Sequence, residues 1–504
     1  MAEKVEIGKV ALVGAIPGDP ELLTLRGQRL LAQADAVIYD YLVDPRTLKH
    51  CRPGCRRICL GRHGGGRIMA QDEIHRLMIE GAQQGELVVR LKGGDACIFG
   101  RLAEEITALE SAGIPYEVTP GVTSASAASA TTGIPLTHRS HASCVAFVAG
   151  QQATDGADAP LDYEALARFP GTLAIYMGVT TAPIWTSELL RHGKSADTPV
   201  AIVRYASVPR QETRLTTLGE LCRCLESPKV RPPAVILVGE SVAARARDDW
   251  FGARPLIGQT IVVTRPAHQA SSLADRLTEL GARVLLQPAI EIGPPTDSGP
   301  LDAALARLSE FDWIAFSSAN GVQATCQRLL ASGRDLRAFA ATKIACIGPA
   351  TQDTLRQRGL IADLTPDEYR AESLAEALAS HVQGKRVLLV RASRGRETLA
   401  EMLAAAGAAV EQAVAYESRD VTVADADVAA ELAAGEVDWM TVTSSAIARS
   451  LHGLFGDDLA RARLVAISPL TAGVLAEAGQ PATAVADTYD AEGVVAAILQ
   501  ATAR

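Results

Sequence analysis

The stretch LVVRLKGGDACIFGR, Leu87 to Arg101, runs from an apolar β-type segment into two glycines and an aspartate. A glycine turn at the carboxyl end of a strand is where an α/β protein meets its ligand. The stretch therefore predicts an α/β fold with a site at the strand ends. Two phosphate-binding readings fail on spacing. A P-loop carries its lysine after the glycines, followed by serine or threonine, whereas Lys92 precedes Gly93 and Gly94. The earlier turn, Gly14 to Gly18, encloses Ala15, Ile16 and Pro17 and is not GxGxxG. Pro17 and Asp19 stand where a dinucleotide fold brings bare backbone against pyrophosphate.

Around these turns the chain alternates strand and helix. KVALVGAIPGDPELLTLRGQRLLAQADAVIYD, Lys9 to Asp40, reads as strand, Gly/Pro turn, helix, strand. At 504 residues the chain suggests two to four domains. Aromatic residues make up only 4%, which suits close packing of helices on sheets. A formal charge of -9 argues against nucleic-acid binding, which draws on a basic face. MAEKVEIGKVALVGA lacks an uninterrupted apolar h-region, and no apolar run reaches the roughly 18 residues of a membrane span. Nine scattered cysteines favour a reduced, cytoplasmic protein without a membrane partner. Cys51, Cys55 and Cys59 lie between His50 and His63, but CxxxCxxxC is not a zinc spacing; a loop leading into RRICLG explains it, and no metal is expected. GRHGGGR, which follows, reads as a loop.

The segment SVAARARDDWFGARPLIGQTIVVTRP marks a boundary, with a polar helix end, a Pro/Gly stretch and a new strand. We place the linker at 246–257, between an N-terminal half (1–245) and a C-terminal half (258–504). The second half repeats itself. Residues 264–284 parallel 390–410, 311–324 parallel 437–450, and 346–359 parallel 466–479, at offsets of 126, 126 and 120 residues. Each repeat reads as strand, turn and helix in succession, so each is expected to form one small α/β lobe. Ser317 and Ser318 in one repeat, and Thr443, Ser444 and Ser445 in the other, end a strand before a helix. Hydroxyls there serve as N-caps, and free N–H groups at such helix ends also bind carboxylates.

Three motifs of the first half, VALVGAIPGDPELLTLRGQRLLAQADAVIYDYLV, RLKGGDACIFGRLAEEI and YEVTPGVTSASAASATTGIPLTHR, resemble the tetrapyrrole methylases, most closely the uroporphyrinogen-III C-methyltransferases, from about Lys9 to Val242. The resemblance implies two α/β subdomains, roughly 1–120 and 121–245, with S-adenosylmethionine between them, in a homodimer formed through this half. It implies methylation of uroporphyrinogen III at C2 and C7 to give precorrin-2. It places Pro17, Gly93, Gly94, Asp95, Ile98, Thr123, Ser124, Met177 and Ala206 at the cofactor. Asp40 falls at the position of the catalytic base. Arg62 stands where the family carries a proton-donating lysine; arginine keeps the charge but does not readily release a proton, which leaves it a substrate carboxylate to bind. Ile16 replaces a usual glycine. Ala96, Cys97, Leu102 and Ala103 depart from the commoner GGDPFxFGRGGEE.

The second half is similar to the uroporphyrinogen-III synthases, carried by VVTRPAHQASSLADRLTELGARV, DWIAFSSANGV, IGPATQDTLRQRG, GKRVLLVRASRGRETLAEML and VDWMTVTSSAIARSL. The resemblance implies a bilobed α/β fold with a two-strand connection and hydroxymethylbilane in the cleft. Its activity is ring closure with inversion of ring D and loss of water. Tyr416 matches the family's functional tyrosine, and Ser317, Ser318, Thr351, Ser444, Ser468 and Thr471 fall in turns suited to the carboxylates of a tetrapyrrole. Two alternatives stay open on the sequence: a different tetrapyrrole as methyl acceptor, or a C-terminal half that binds a tetrapyrrole without catalysis.

Overall fold

The strand segments VALVGAI and AVIY of the first 120 residues are continuously apolar because both faces of their sheet are covered. The computed structural model describes residues 6–61, 69–151, 160–245, 250–394 and 397–503. The chain divides into two units, Met1–Gln259 with Leu277–Arg283, and Thr260–Arg276 with Val284–Arg504. In the first, β1 (Lys9–Ile16), β2 (Ala36–Tyr39), β3 (Arg56–Cys59), β4 (Leu87–Gly93) and β5 (Tyr116–Thr119) form a parallel sheet in the order β3-β2-β4-β1-β5. The two-residue period of a strand decides the faces. Val10, Leu12 and Val88 pack on Ile74, Met78 and Leu109, while Ala11, Val13 and Val89 pack on Leu30 and Leu31. Register shifts between Gly14 and Ile16, where β1 meets the end of β4.

The same unit holds a mixed sheet of β6 (Val145–Ala149), β7 (Thr172–Tyr176), β8 (Pro199–Arg204), β9 (Glu212–Thr217) and β10 (Ala234–Val238), ordered β6-β7-β10-β8-β9. Only β6 and β7 run parallel; the other pairs are antiparallel. One face buries Trp185 and Leu189, the other the alanine-rich helix Ser124–Thr132.

The remaining strands are β11 (Thr260–Val263), β12 (Arg283–Leu286), β13 (Ile290–Gly293), β14 (Trp313–Phe316), β15 (Lys343–Cys346), β16 (Arg386–Ala392), β17 (Ala409–Asp420), β18 (Trp439–Val442), β19 (Arg463–Ala466) and β20 (Ala484–Val485). They form two sheets, β12-β11-β18-β19-β20 and β13-β17-β16-β14-β15. This corrects the expectation of one lobe per repeat. Each sheet combines the opening strands of one repeat with the closing strands of the other. The physical reason lies in β13 and β17. After β12 the chain passes through Gln287–Ala289 into β13, which pairs antiparallel with the last four residues of β17. The first part of β17 lies parallel to β16. This ribbon carries the chain out of the first sheet before its repeat is complete, and back again afterwards. Among the described residues no helix is long and apolar enough to cross a membrane.

Candidate functional site

In the first unit three glycines bring three backbone segments together. A Cβ on Gly14 would lie 2.5 Å from Gly121 N and 2.9 Å from Gly94 O, and one on Gly121 would strike Gly94 O. Gly94 also has φ +79, a conformation that glycine adopts without the steric cost of a Cβ. Asp95 pins this junction: Gly121 N donates to its Oδ2 at 2.9 Å and Cys97 N to its Oδ1 at 2.6 Å. Its carboxylate is thus committed to backbone donors on both oxygens.

The other expected cofactor residues gather at the same place. Gly18, which follows Pro17, packs against Ala206 and Ser207, and Asp19 N donates to Ser207 Oγ at 3.1 Å. Ile98 and Ala206 share a buried cluster with Tyr176. Thr123, which precedes the helix begun by Ser124, has its Oγ1 2.6 Å from Tyr176 Oη. Ala125 N donates to the same Tyr176 oxygen at 3.1 Å, so a tyrosine hydroxyl replaces the missing N-cap side chain. Met177 follows Tyr176 and is half exposed with φ +54. Every non-glycine residue of positive φ among those described, Phe99, Arg101, Met177, Tyr205 and Ser207, belongs to this unit. Backbone held in such a conformation costs energy and concentrates at ligand sites. Tyr176 and the strained Phe99, Tyr205 and Ser207 were not picked out from the sequence; nothing in their spacing marks them.

Asp40 joins the junction through Gly93, whose N–H donates to Oδ2 at 3.2 Å. Its Oδ1 accepts from Arg90 Nη2 at 2.7 Å. Arg90 Nε in turn donates to Glu105 Oε1 at 3.2 Å, and Lys92 Nζ to Glu105 Oε2 at 2.6 Å. Arg90, Lys92 and Glu105 are buried, whereas the Asp40 side chain is 30% exposed. Two carboxylates and two cations balance, and every charged group has a hydrogen-bonded partner, which is what such burial demands. Burial pushes the Lys92 ammonium below its usual range against the opposing pull of Glu105. The sequence carried a signal for this cluster: Arg90 and Lys92 are two apart in an apolar strand and so share a face. Arg62 lies outside the described residues.

In the second unit Tyr416 is 9% exposed, and its Oη lies 2.9 Å from Ser318 Oγ. Ser318 caps the helix Ala319–Ala331 by accepting from Gly321 N at 3.2 Å. Ser317 Oγ instead donates to Val390 O at 3.1 Å, tying the end of β14 to β16. Ser444 and Ser468 are N-caps, accepting from Ile447 N at 3.2 Å and Thr471 N at 3.3 Å. Thr351 and Thr471 are buried in the first turns of their helices, at 3% and 2% exposure. The hydroxyls of Ser318, Ser444 and Ser468 therefore serve the helix ends, and the N–H groups of those first turns remain the donors available to an anion. The helix that follows β11 reaches the helix that follows β14 through Gln269 Nε2, which donates to Asn320 Oδ1 at 2.7 Å.

Comparison with known proteins assigns these two constructions. Residues 9–222 match the model of the tetrapyrrole (corrin/porphyrin) methylases, and residues 271–496 that of uroporphyrinogen-III synthase. A porphyrin biosynthesis protein of Ruminiclostridium josui is 34% identical over 442 residues, 88% of each chain. A siroheme synthase of Sodalis glossinidius is 50% identical over 252 residues, covering 50% of this chain and 53% of its own length. The chain thus spans about half of that relative. The uroporphyrin III C-methyltransferase structure from Thermus thermophilus is 41% identical with a TM-score of 0.41, covering 47% of this chain and 94% of its own. The match to the Ruminiclostridium protein runs through both constructions, and the chain belongs to the porphyrin-biosynthesis family that joins a tetrapyrrole methylase to a uroporphyrinogen-III synthase.

Proposed function

We propose that the chain closes hydroxymethylbilane to uroporphyrinogen III, inverting ring D with loss of water, and then methylates that product at C2 and C7 to give precorrin-2. In this reading residues 1–245 are the methylase, 258–504 the synthase and 246–257 their linker. The methylase half forms a homodimer, and the enzyme works in the cytoplasm.

The methyl donor is S-adenosylmethionine. The residues present fit it: backbone at Gly14, Gly94 and Gly121 is bare of side chains, and Met177 and the Thr123–Tyr176 pair border the same junction. Its sulfonium methyl is already activated, so the protein's work is alignment. Gly93 and Gly94 offer backbone donors and acceptors, and Asp95 holds the loop that carries them. Asp40 takes the proton that the methylated macrocycle must lose. Arg90 and Gly93 N–H hold its carboxylate in place, with part of its surface open. Arg62 binds a substrate carboxylate. In the synthase half Tyr416 donates its proton to the departing hydroxyl, and the turns at Ser317, Ser318, Thr351, Ser444, Ser468 and Thr471 hold the carboxylates of a flexible chain. Fixing that chain's two ends in one geometry supplies much of the acceleration.

The observation that carries the reading is the tether of Asp40 to Gly93, which sets a partly open carboxylate at the edge of the glycine junction. The test incubates the full chain with hydroxymethylbilane and S-adenosylmethionine. Dimethylated type III product is expected; accumulation of the spontaneous type I isomer overturns the synthase assignment, and unmethylated type III overturns the methylase assignment.

A further inference from the structure

The strand-end arginines of the two synthase sheets are equivalent by repeat, and the structure treats them differently. Arg391, near the end of β16, donates to Glu397 and to Gln412. Arg265 follows β11, 126 residues earlier, at the same place in the other sheet. It is only partly exposed, yet among the described residues it donates no hydrogen bond and has no carboxylate within ion-pair distance. Among the described residues the opposite charge that acts on it is Asp490, which is already occupied in capping a helix by accepting from Gly493 N at 2.7 Å. A guanidinium carries five donors, and withdrawing them from water without an acceptor is costly. Burial accordingly lowers the Arg265 pKa.

The position of Arg265 says what would satisfy it. Thr264, its neighbour, is fixed to β18 through its N–H and hydroxyl on Thr441, so Arg265 emerges at the carboxyl edge beside the turn of Ser444. One turn further on, Gln269 reaches Asn320, two residues past the Ser318 that holds Tyr416. Arg265 therefore lies on the sheet edge whose next helix touches the Tyr416 side of the unit.

We infer that Arg265 anchors a side-chain carboxylate of the linear tetrapyrrole, through a charge-assisted and bidentate-capable contact. The assignment rests on the synthase reading above. Arg391 is already engaged internally by Glu397 and Gln412, so the two lobes grip the substrate unequally, which suits a reaction that must distinguish one end of the chain from the other.

The test uses the full chain with hydroxymethylbilane, and methylation of supplied uroporphyrinogen III as the control for folding. Arg265→Gln is expected to raise KM about 10- to 100-fold, the loss of one hydrogen-bonded charge contact, with kcat within about threefold. Arg265→Lys recovers part of the loss, because it keeps the charge without the fork. Asp490→Asn keeps the helix cap but removes the competing charge, and is expected to lower KM about threefold. An unchanged KM in Arg265→Gln, or a fall confined to kcat, overturns the assignment. Should Arg265→Gln not fold, Asp490→Asn decides: an unchanged or raised KM overturns it equally. Failure of the wild-type chain to divert product to the type III isomer would instead overturn the synthase reading itself.

Discussion

Glu105→Gln removes one charge and almost no volume from the cluster that holds Asp40. Glu105 is 1% exposed and accepts from Arg90 Nε at 3.2 Å and Lys92 Nζ at 2.6 Å. The amide that replaces it keeps one acceptor and turns a donor towards a cation. Arg90 retains Asp40, but among the described residues Lys92 is left buried with no hydrogen-bonded carboxylate. Breaking a buried pair by deleting one partner costs about 3–5 kcal/mol. In a unit of this size that lowers Tm by about 6–20 °C. The deficit has a defined pH dependence. Burial already depresses the Lys92 pKa, and Glu105 is the largest influence opposing that shift. Without Glu105 the folded-state pKa falls further below the unfolded value, so the unfolded chain binds more protons over the interval between them. Stability then rises with pH across that interval, and the deficit of the variant shrinks as Lys92 sheds its proton. Calorimetry at pH 7 and pH 9 measures both effects. A Tm within about 2 °C of wild type, or a deficit that grows with pH, would refute the reasoning. The triple replacement Arg90→Met, Lys92→Met and Glu105→Met separates folding from function. Apolar residues of similar volume restore most of the stability, while Asp40 loses its Arg90 contact and methylation stays slow.

Asp40→Asn is expected to lower methylase kcat about 10²- to 10⁴-fold, the usual worth of a general base, with S-adenosylhomocysteine affinity within about threefold; a change confined to KM contradicts that role. Gly121→Ala drives a Cβ onto Gly94 O and to 2.8 Å from Gly14 Cα. It should weaken S-adenosylhomocysteine binding at least about tenfold by titration calorimetry while leaving type III isomer formation intact. Among the described residues Tyr416→Phe loses only the hydroxyl's contact to Ser318, which keeps its cap on Gly321 N. Its cost in stability should stay under about 1.5 kcal/mol, while type III formation slows about 10²-fold and methylation of supplied uroporphyrinogen III is unchanged.

Much of this protein can be read along the chain. The strand-to-glycine passage at Leu87–Gly94 marks a ligand turn at a strand end, and it is the three long motifs together that resemble the methylases. The 126- and 120-residue offsets show the duplication, and the hydroxyls at Ser318, Ser444 and Ser468 show where helices begin. All of these are local: a period of two, a cap, a turn that only glycine enters. The roles of individual hydroxyls are less local. Ser317 and Ser318 are adjacent and alike in sequence, yet one donates to Val390 O and the other caps a helix and meets Tyr416.

Two features depended on how the chain comes together. Periodicity says which face of a strand is buried but not which strand lies beside it, so the repeats allowed one lobe each; the antiparallel pairing of β13 with the end of β17 exchanged their halves. Likewise, Arg90 and Lys92 announce a charged face within an apolar strand, but their meaning comes from Glu105 on a helix and Asp40 just past the end of another strand. A lone buried charge is prohibitive, and four that balance are stable. That balance is a property of residues up to 65 positions apart, Asp40 to Glu105, and only the folded chain puts them within hydrogen-bonding distance.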